Sequence, residues 1–203
     1  MNLMNYKQNI YSQHGEDGMI NHLLSLLPNE ILDKICVEFG AWDGKYLSNT
    51  YRFVENLNYT GFYIEGDEQK YQDLLKTADE IKRIIPINAY VGWEGTNSLD
   101  YLLESNGLKN KNFDLLSIDV DGLDYKIWKN FVNYTPKIVI IETNSSLERN
   151  RIFTEEELTE ELLIQRGVNY GTMDALAKEK GYTILAYTGN AIYLHNDYLK
   201  YVT

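Results

Sequence analysis

The stretch Val37-Glu38-Phe39-Gly40-Ala41-Trp42-Asp43-Gly44 decides how this chain is read. An apolar run, Ile35-Cys36-Val37, passes into an acid and then into two glycines. That pattern is a strand ending in a tight turn where a ligand must approach the backbone. About twenty residues on, a second apolar run, Gly61-Phe62-Tyr63-Ile64, ends in Glu65, the spacing expected of a strand-tip carboxylate that meets ribose hydroxyls. A glycine turn after one strand and an acid at the tip of the next is the layout of a nucleoside-binding α/β domain.

Size and composition fit a single soluble domain over residues 1–203. The 44% apolar and 24% charged content is ordinary for a globular chain that buries its own core. The lone cysteine, Cys36, falls inside the first strand, which excludes a disulfide within the chain and points to a cytosolic setting. No run of about 18 apolar residues occurs, so no membrane span is expected. The N-terminus lacks the basic-then-apolar pattern of a signal peptide. The formal charge of −11, from 30 acids against 19 bases, repels phosphate backbones, and no basic patch offsets it; nucleic acid is not an expected partner. Oligomeric state is not legible.

Along the chain the pattern alternates. Helical spacing over 16–27 stops before Pro28 and closes a lead-in of residues 1–34. Strands are expected over 35–39, 61–65, 84–89, 113–120 and 137–142, with Pro86 placing the third at an edge and Ile138-Val139-Ile140-Ile141 burying the fifth on both faces. Between them lie helices over 48–56, capped by Ser48 or Asn49, over 67–78, capped by Asp67, at 99–103, capped by Ser98, and over 124–131. Thr154 and Glu157 form a capping box ahead of a helix reaching about 165, and a last helix over 174–180 ends at Gly181. Residues 182–187 and 191–195, joined by Thr188-Gly189-Asn190, read as a hairpin. A doubly wound, mostly parallel sheet that finishes in an antiparallel hairpin is the Rossmann-like methyltransferase arrangement, whereas dinucleotide-binding sheets stay parallel.

Five strings in order, Tyr11-Ser12-Gln13-His14-Gly15-Glu16-Asp17, the 37–44 turn, Leu47-Ser48-Asn49-Thr50, Ile64-Glu65-Gly66-Asp67 and Ser117-Ile118-Asp119-Val120-Asp121-Gly122, resemble the FkbM-type S-adenosylmethionine-dependent methyltransferases. The resemblance runs from about residue 11 to 142. It implies a class I methyltransferase fold, S-adenosylmethionine as methyl donor, and a small-molecule acceptor such as a sugar or nucleotide-sugar, methylated on a hydroxyl. Trp42 departs from the commonest form of the turn, which has glycine there, and either walls the cofactor pocket or narrows it.

The residues support roles of their own. Glu38 and the Gly40-Ala41 backbone sit where the amino-acid end of such a donor would lie, with Asp43 in the same turn and Gln13 in the lead-in motif. Ser48, Asn49 and Thr50, at a helix start, offer amides to its carboxylate. Glu65, followed by Gly66, accepts from both ribose hydroxyls, and Asn88 and Ala89 meet the adenine edge. The plainer alternatives are a solvent-exposed strand-end acid for Glu65 and a structural acid holding turn amides for Glu38. Asp119 and Asp121 close the fourth strand at the point where such sheets place ligands; one takes the proton of an acceptor hydroxyl, or both, with Glu142 and Asn144, hold a Mg²⁺ that acidifies it. Helix capping is the alternative for Asp121. His14 is the other candidate base, although a lone histidine is more often a surface or packing residue.

Tyr46, Tyr51, Tyr90, Trp93 and Tyr125 fall near strand ends, where rings stack on adenine or a sugar or simply pack. Residues 143–170 form a long connection that reads as a substrate lid. Its Arg149, Arg151 and Arg166 meet a phosphorylated or acidic acceptor or, as the plainer account, pair with the acids of 155–161. Two other functions stay open: a nicotinamide-dependent oxidoreductase, disfavoured by the antiparallel ending, Trp42 and the lack of a Tyr-x-x-x-Lys, and a non-catalytic nucleoside-binding module.

Overall fold

The apolar runs assemble into one seven-stranded sheet in the computed structural model, which describes residues 2–109, 112–120 and 122–202. In chain order the elements are α1 (Glu16–Leu26), β1 (Ile35–Phe39), α2 (Tyr51–Asn56), β2 (Thr60–Glu65), α3 (Glu68–Glu80), β3 (Ile84–Asn88), α4 (Leu99–Ser105), β4 (Leu115–Ile118), α5 (Asp124–Asn130), β5 (Ile138–Glu142), α6 (Glu160–Arg166), α7 (Tyr170–Glu179), β6 (Tyr182–Tyr187) and β7 (Asn190–His195). The sheet order is β3-β2-β1-β4-β5-β7-β6. The first five strands are parallel, and β7 enters antiparallel between β5 and β6. The order reverses between β1 and β4, so the crevice above those two tips is where an open sheet of this kind takes a ligand.

Side-chain alternation builds a core on each face. Val37, Phe39, Phe62, Ile64, Leu116, Val139 and Ile141 pack on one side with Leu103, Trp128 and Met173, while Cys36, Tyr63, Leu115, Ile138 and Ile140 pack on the other with Met19, Leu23, Phe53 and Leu74. Burial of both faces explains why the strands read as apolar runs rather than as alternation. Pro86 lies in β3, an edge strand, as expected. The caps read from sequence hold at Asp67, which accepts from the amides of Gln69 and Lys70, and at Ser98, which accepts from that of Tyr101.

Three boundaries move. The helix expected from residue 48 begins at Tyr51, because Ser48 and Asn49 are engaged elsewhere. Thr154 and Glu157 do meet, the Thr154 amide donating to Glu157 Oε2 at 2.8 Å, but they close an isolated turn. The helix itself starts at Glu160 under Thr159. The last helix begins four residues early, at Tyr170, because Asn169 caps it by accepting from the Thr172 amide.

The far end of the sheet from the ligand crevice is held by a buried ion cluster. Lys137, 2% exposed, lies 2.8 Å from Asp114, which is fully buried, and also pairs with Asp33; Asp114 further accepts from the amides of Asp33 and Lys34. These partners balance the burial of Lys137 and leave its ammonium pKa raised. Asp114→Ala takes from Lys137 its fully buried partner and leaves two amides without their acceptor, and urea denaturation is expected to show a loss of about 3 kcal/mol, against nearly none for a solvent-side control such as Asp79→Ala.

Candidate functional site

A cleft of about 650 Å³ opens over the tips of β1, β2 and β4. Of the residues singled out from sequence, Glu38, Gly40, Ala41, Ser48, Asn49, Glu65, Gly66, Ala89 and Asp119 line it, and so do Trp42, Tyr46 and Tyr90. The other candidates among the described residues do not. Gln13 and His14 are exposed on the lead-in loop, and Asp43 spends a carboxylate oxygen on the amides of Lys45 and Tyr46. Asn88 donates to Glu68 at 2.6 Å, and Thr50 is buried behind Glu38. Among the aromatics, Tyr51 and Tyr125 belong to the two cores, and Trp93 lies under the ammonium of Lys126.

Glu65 is held in place by the chain itself. Its Oε2 accepts from the Trp42 amide and its Oε1 from the Asp67 amide, both at 2.8 Å. Each oxygen keeps a second lone pair, so a fixed carboxylate faces the cleft ready for two further donors. Trp42 pays for this contact in backbone conformation, with φ +46°, and its ring packs edge-on against Tyr46 with the Lys70 ammonium 4.8 Å from its centroid. It therefore walls the cleft.

The amides that the sequence reserves for a bound carboxylate are taken within the turn, that of Asn49 by Glu38, that of Thr50 by Ser48 Oγ and that of Ser48 by the Lys45 carbonyl. Glu38 Oε1 accepts from the Asn49 amide at 2.9 Å, and its Oε2 accepts from the hydroxyls of Ser48 and Thr50 at 2.5 and 2.6 Å. Ser48 in turn accepts from the Thr50 and Tyr51 amides. Desolvation outweighs these donors and raises the Glu38 pKa. What remains open to a ligand here is acceptor capacity: Asn49 donates to Ser117 Oγ, yet its buried Oδ1 has no partner. Such a wall suits an ammonium group better than a carboxylate. Gly40, at φ +73°, lets the chain after β4 close against this turn, since a Cβ there would stand 2.0 Å from the Asp119 carbonyl oxygen.

Beside the cleft, at the tip of β5, lies a second, polar pocket of about 340 Å³. Asp124, Glu142, Asn144 and Arg166 are among its walls. Asp124, read from sequence only as the start of a helix, organises the β4–α5 turn by accepting from the Val120 and Gly122 amides at 3.0 and 2.9 Å. Gly122 lets α6 close over that turn, because a Cβ would meet the Leu163 carbonyl at 2.3 Å. Asp121, the foremost catalytic candidate, lies outside the described residues. Asp119 and Glu142 line different cavities, and among the described residues no three acidic, histidine or cysteine side chains come close enough to hold a metal ion.

The lead-in motif also acquires a physical role. Asp17 accepts from the Ile10 and Tyr11 amides and from the Ser12 hydroxyl, and Glu16 accepts from Thr188 at 2.7 Å and from Asn190. Ser12 bridges to Leu47 on the cleft wall. The segment is thereby stitched between the cleft and the β6–β7 turn, and His14 sits on the turn side, near Gly189.

No family model matches the sequence, and no curated protein does either. Comparison with solved structures places the fold. The CurJ carbon methyltransferase aligns with a TM-score of 0.56 at 14% identity over 87% of this chain, which spans about half (51%) of that one. The N-terminal domain of EvdMO1 with SAH bound gives 0.50 at 13% identity, covering 88% and 78% of the two chains, and the same domain in the presence of SAH and D-fucose gives 0.52 at 11%, covering 89% and 82%. The architecture is that of the class I, Rossmann-like methyltransferases.

Removing the Glu38 carboxylate leaves two buried donors, the Ser48 hydroxyl and the Asn49 amide, without an acceptor and leaves the Thr50 hydroxyl only Tyr63. Glu38→Ala is expected to lower unfolding stability by about 2–4 kcal/mol, measured by chemical denaturation, at one to three kcal/mol per orphaned group less local relaxation. An unchanged midpoint contradicts this account of the turn.

Proposed function

We propose that the protein is an S-adenosylmethionine-dependent methyltransferase of the FkbM type, acting on a hydroxyl of a sugar or a comparable small metabolite. The observation that carries the reading is Glu65, a carboxylate locked by two backbone amides at the tip of β2 with its free lone pairs facing a nucleoside-sized cleft. The fold supports it, and the EvdMO1 structures, one determined with D-fucose present, make a sugar acceptor the natural first choice.

In this reading Glu65 accepts from the ribose hydroxyls, Gly40 admits the donor against the backbone, and Asn49 Oδ1 with Glu38 receives the ammonium group. Ala89 and Tyr90 flank the base. When bound, S-adenosylmethionine supplies an electrophilic methyl carbon on a sulfonium. That chemistry would give the methyl group to the acceptor oxygen, with the electron pair of the sulfur–carbon bond left on sulfur. The acceptor's proton goes to one of the carboxylates that follow β4, Asp121 or Asp119. Residues 143–170 act as the substrate lid over the polar pocket.

Calorimetric titration is expected to show binding of S-adenosylhomocysteine and none of NAD. Glu65→Ala should weaken the former about a hundredfold, the loss of two charge-assisted hydrogen bonds at roughly 1.5 kcal/mol each. No heat from S-adenosylhomocysteine with folded protein overturns the assignment. Transfer of labelled methyl groups to a panel of sugars and nucleotide-sugars is expected to survive exhaustive dialysis against EDTA and to fall by about 10²–10⁴ in Asp121→Asn if that carboxylate is the base.

A further inference from the structure

The three arginines of the 143–170 segment have different surroundings. Arg151 is paired with Glu157 and lies over Phe153. Arg149 has no such acid: among the described residues no carboxylate lies within ion-pair distance of it, in a chain with eleven more acids than bases. Its guanidinium carbon instead sits 5.0 Å from the ring centre of Tyr170 and 4.8 Å from that of Tyr187. Stacking on ring faces covers the plane of a guanidinium and leaves its edge, with the N–H donors, open.

The backbone that carries Arg149 is bolted down. Asn169 donates to the carbonyls of Glu148 and Arg151, the Gly171 amide donates to the Arg149 carbonyl at 2.8 Å, and the Phe153 amide donates to Thr172 Oγ1 at 3.0 Å. Residue 171 must be glycine for the loop to lie this close, since a Cβ would meet the Arg151 carbonyl at 2.6 Å. Tyr187 is fixed as well, its hydroxyl 3.0 Å from Thr143 Oγ1 at the tip of β5. Arg149 lines a hollow of about 200 Å³ that shares Asn144 and Ser145 with the larger polar pocket, where Arg166 stands. The acids Asp124 and Glu142 line only the larger pocket.

We propose that this hollow binds an oxyanion group of the acceptor, a phosphate or carboxylate, received by the edge of Arg149 and steadied by Arg166. The inference rests on the methyltransferase reading for the word acceptor, but the anion site itself does not. Asp124 and Glu142 line the larger pocket and not this hollow, so the charged group of such a molecule would sit in the part of the site that has an arginine and no acid.

The test is calorimetric titration of protein saturated with S-adenosylhomocysteine, using sodium pyrophosphate and, separately, sodium glucuronate, with glucose as the neutral control. Saturable binding is expected for at least one anion, weakening as salt rises, and which one binds tells phosphate from carboxylate chemistry. Arg149→Leu should weaken it about ten- to hundredfold, the loss of one charge-assisted pair, while Arg149→Lys retains part of it and Arg151→Leu all of it. The affinity for S-adenosylhomocysteine should be the same in every variant. Neither anion binding up to roughly 20 mM, a Kd of little more than 2 kcal/mol, or equal binding by the Arg149→Leu and Arg149→Lys proteins and the parent, overturns the proposal. Failure of S-adenosylhomocysteine to bind at all, with Arg149-dependent anion binding intact, sinks the methyltransferase reading and leaves the anion site standing.

Discussion

The geometry of the whole cleft depends on one carboxylate facing inward where a ligand would otherwise be expected. Glu38 draws the chain at residues 48–50 down onto the end of β1 through an amide and two hydroxyls. That contact fixes both ends of the 40–47 loop, and with it Trp42, Tyr46 and Leu47, which form one wall of the crevice. Ionised burial is unfavourable in itself, and the raised pKa of Glu38 records that cost. The three donors offset it only when all are in place, so the loop adopts one conformation rather than several.

This arrangement changes what the site is able to recognise. Helix starts usually attract anions through their free amides. Here those amides are satisfied internally, and α2 is only six residues long, so the wall presents lone pairs instead: the Asn49 Oδ1 and the outer face of Glu38. A zwitterionic ligand would meet this surface through its cationic end. The two cavities thus differ in character, the first rich in acceptors, the second lined by the acids Asp124 and Glu142 together with Arg166.

The strands, their order of appearance and the closing hairpin were legible because each rests on local pattern: apolar runs of strand length, glycine or asparagine at the turns, and Pro86 at an edge. Asp67 and Ser98 were legible as caps because a cap bonds amides two or three residues away. Thr154 and Glu157 misled for the same reason, since their local bond forms whether or not a helix follows. Glu65 was readable from its place after β2, whereas the inward turn of Glu38 depends on hydroxyls ten and twelve residues away. The lead-in motif was less readable still. Glu16 looks like an ordinary first-turn acid, and its partner Thr188 lies 172 positions along the chain. Arg149 belongs with these, because its aromatic cage comes from a helix start and a hairpin that meet only in the folded molecule.

Trp42 and Glu65 are tied more closely than their separation suggests. A bulky L-residue in the left-handed region is strained by about 1–2 kcal/mol, and the bond from its amide to Glu65 helps to hold it there. The same carboxylate therefore serves as clasp for the turn and as grip for whatever fills the cleft. Drift in ligand preference at position 65 cannot proceed alone, because any replacement without a carboxylate or amide oxygen releases the loop that shapes the opposite wall. Descendants of this sequence that lose the oxygen at position 65 should be found to have changed Trp42 as well, whereas position 42 can vary alone because its bond to Glu65 is made by a backbone amide.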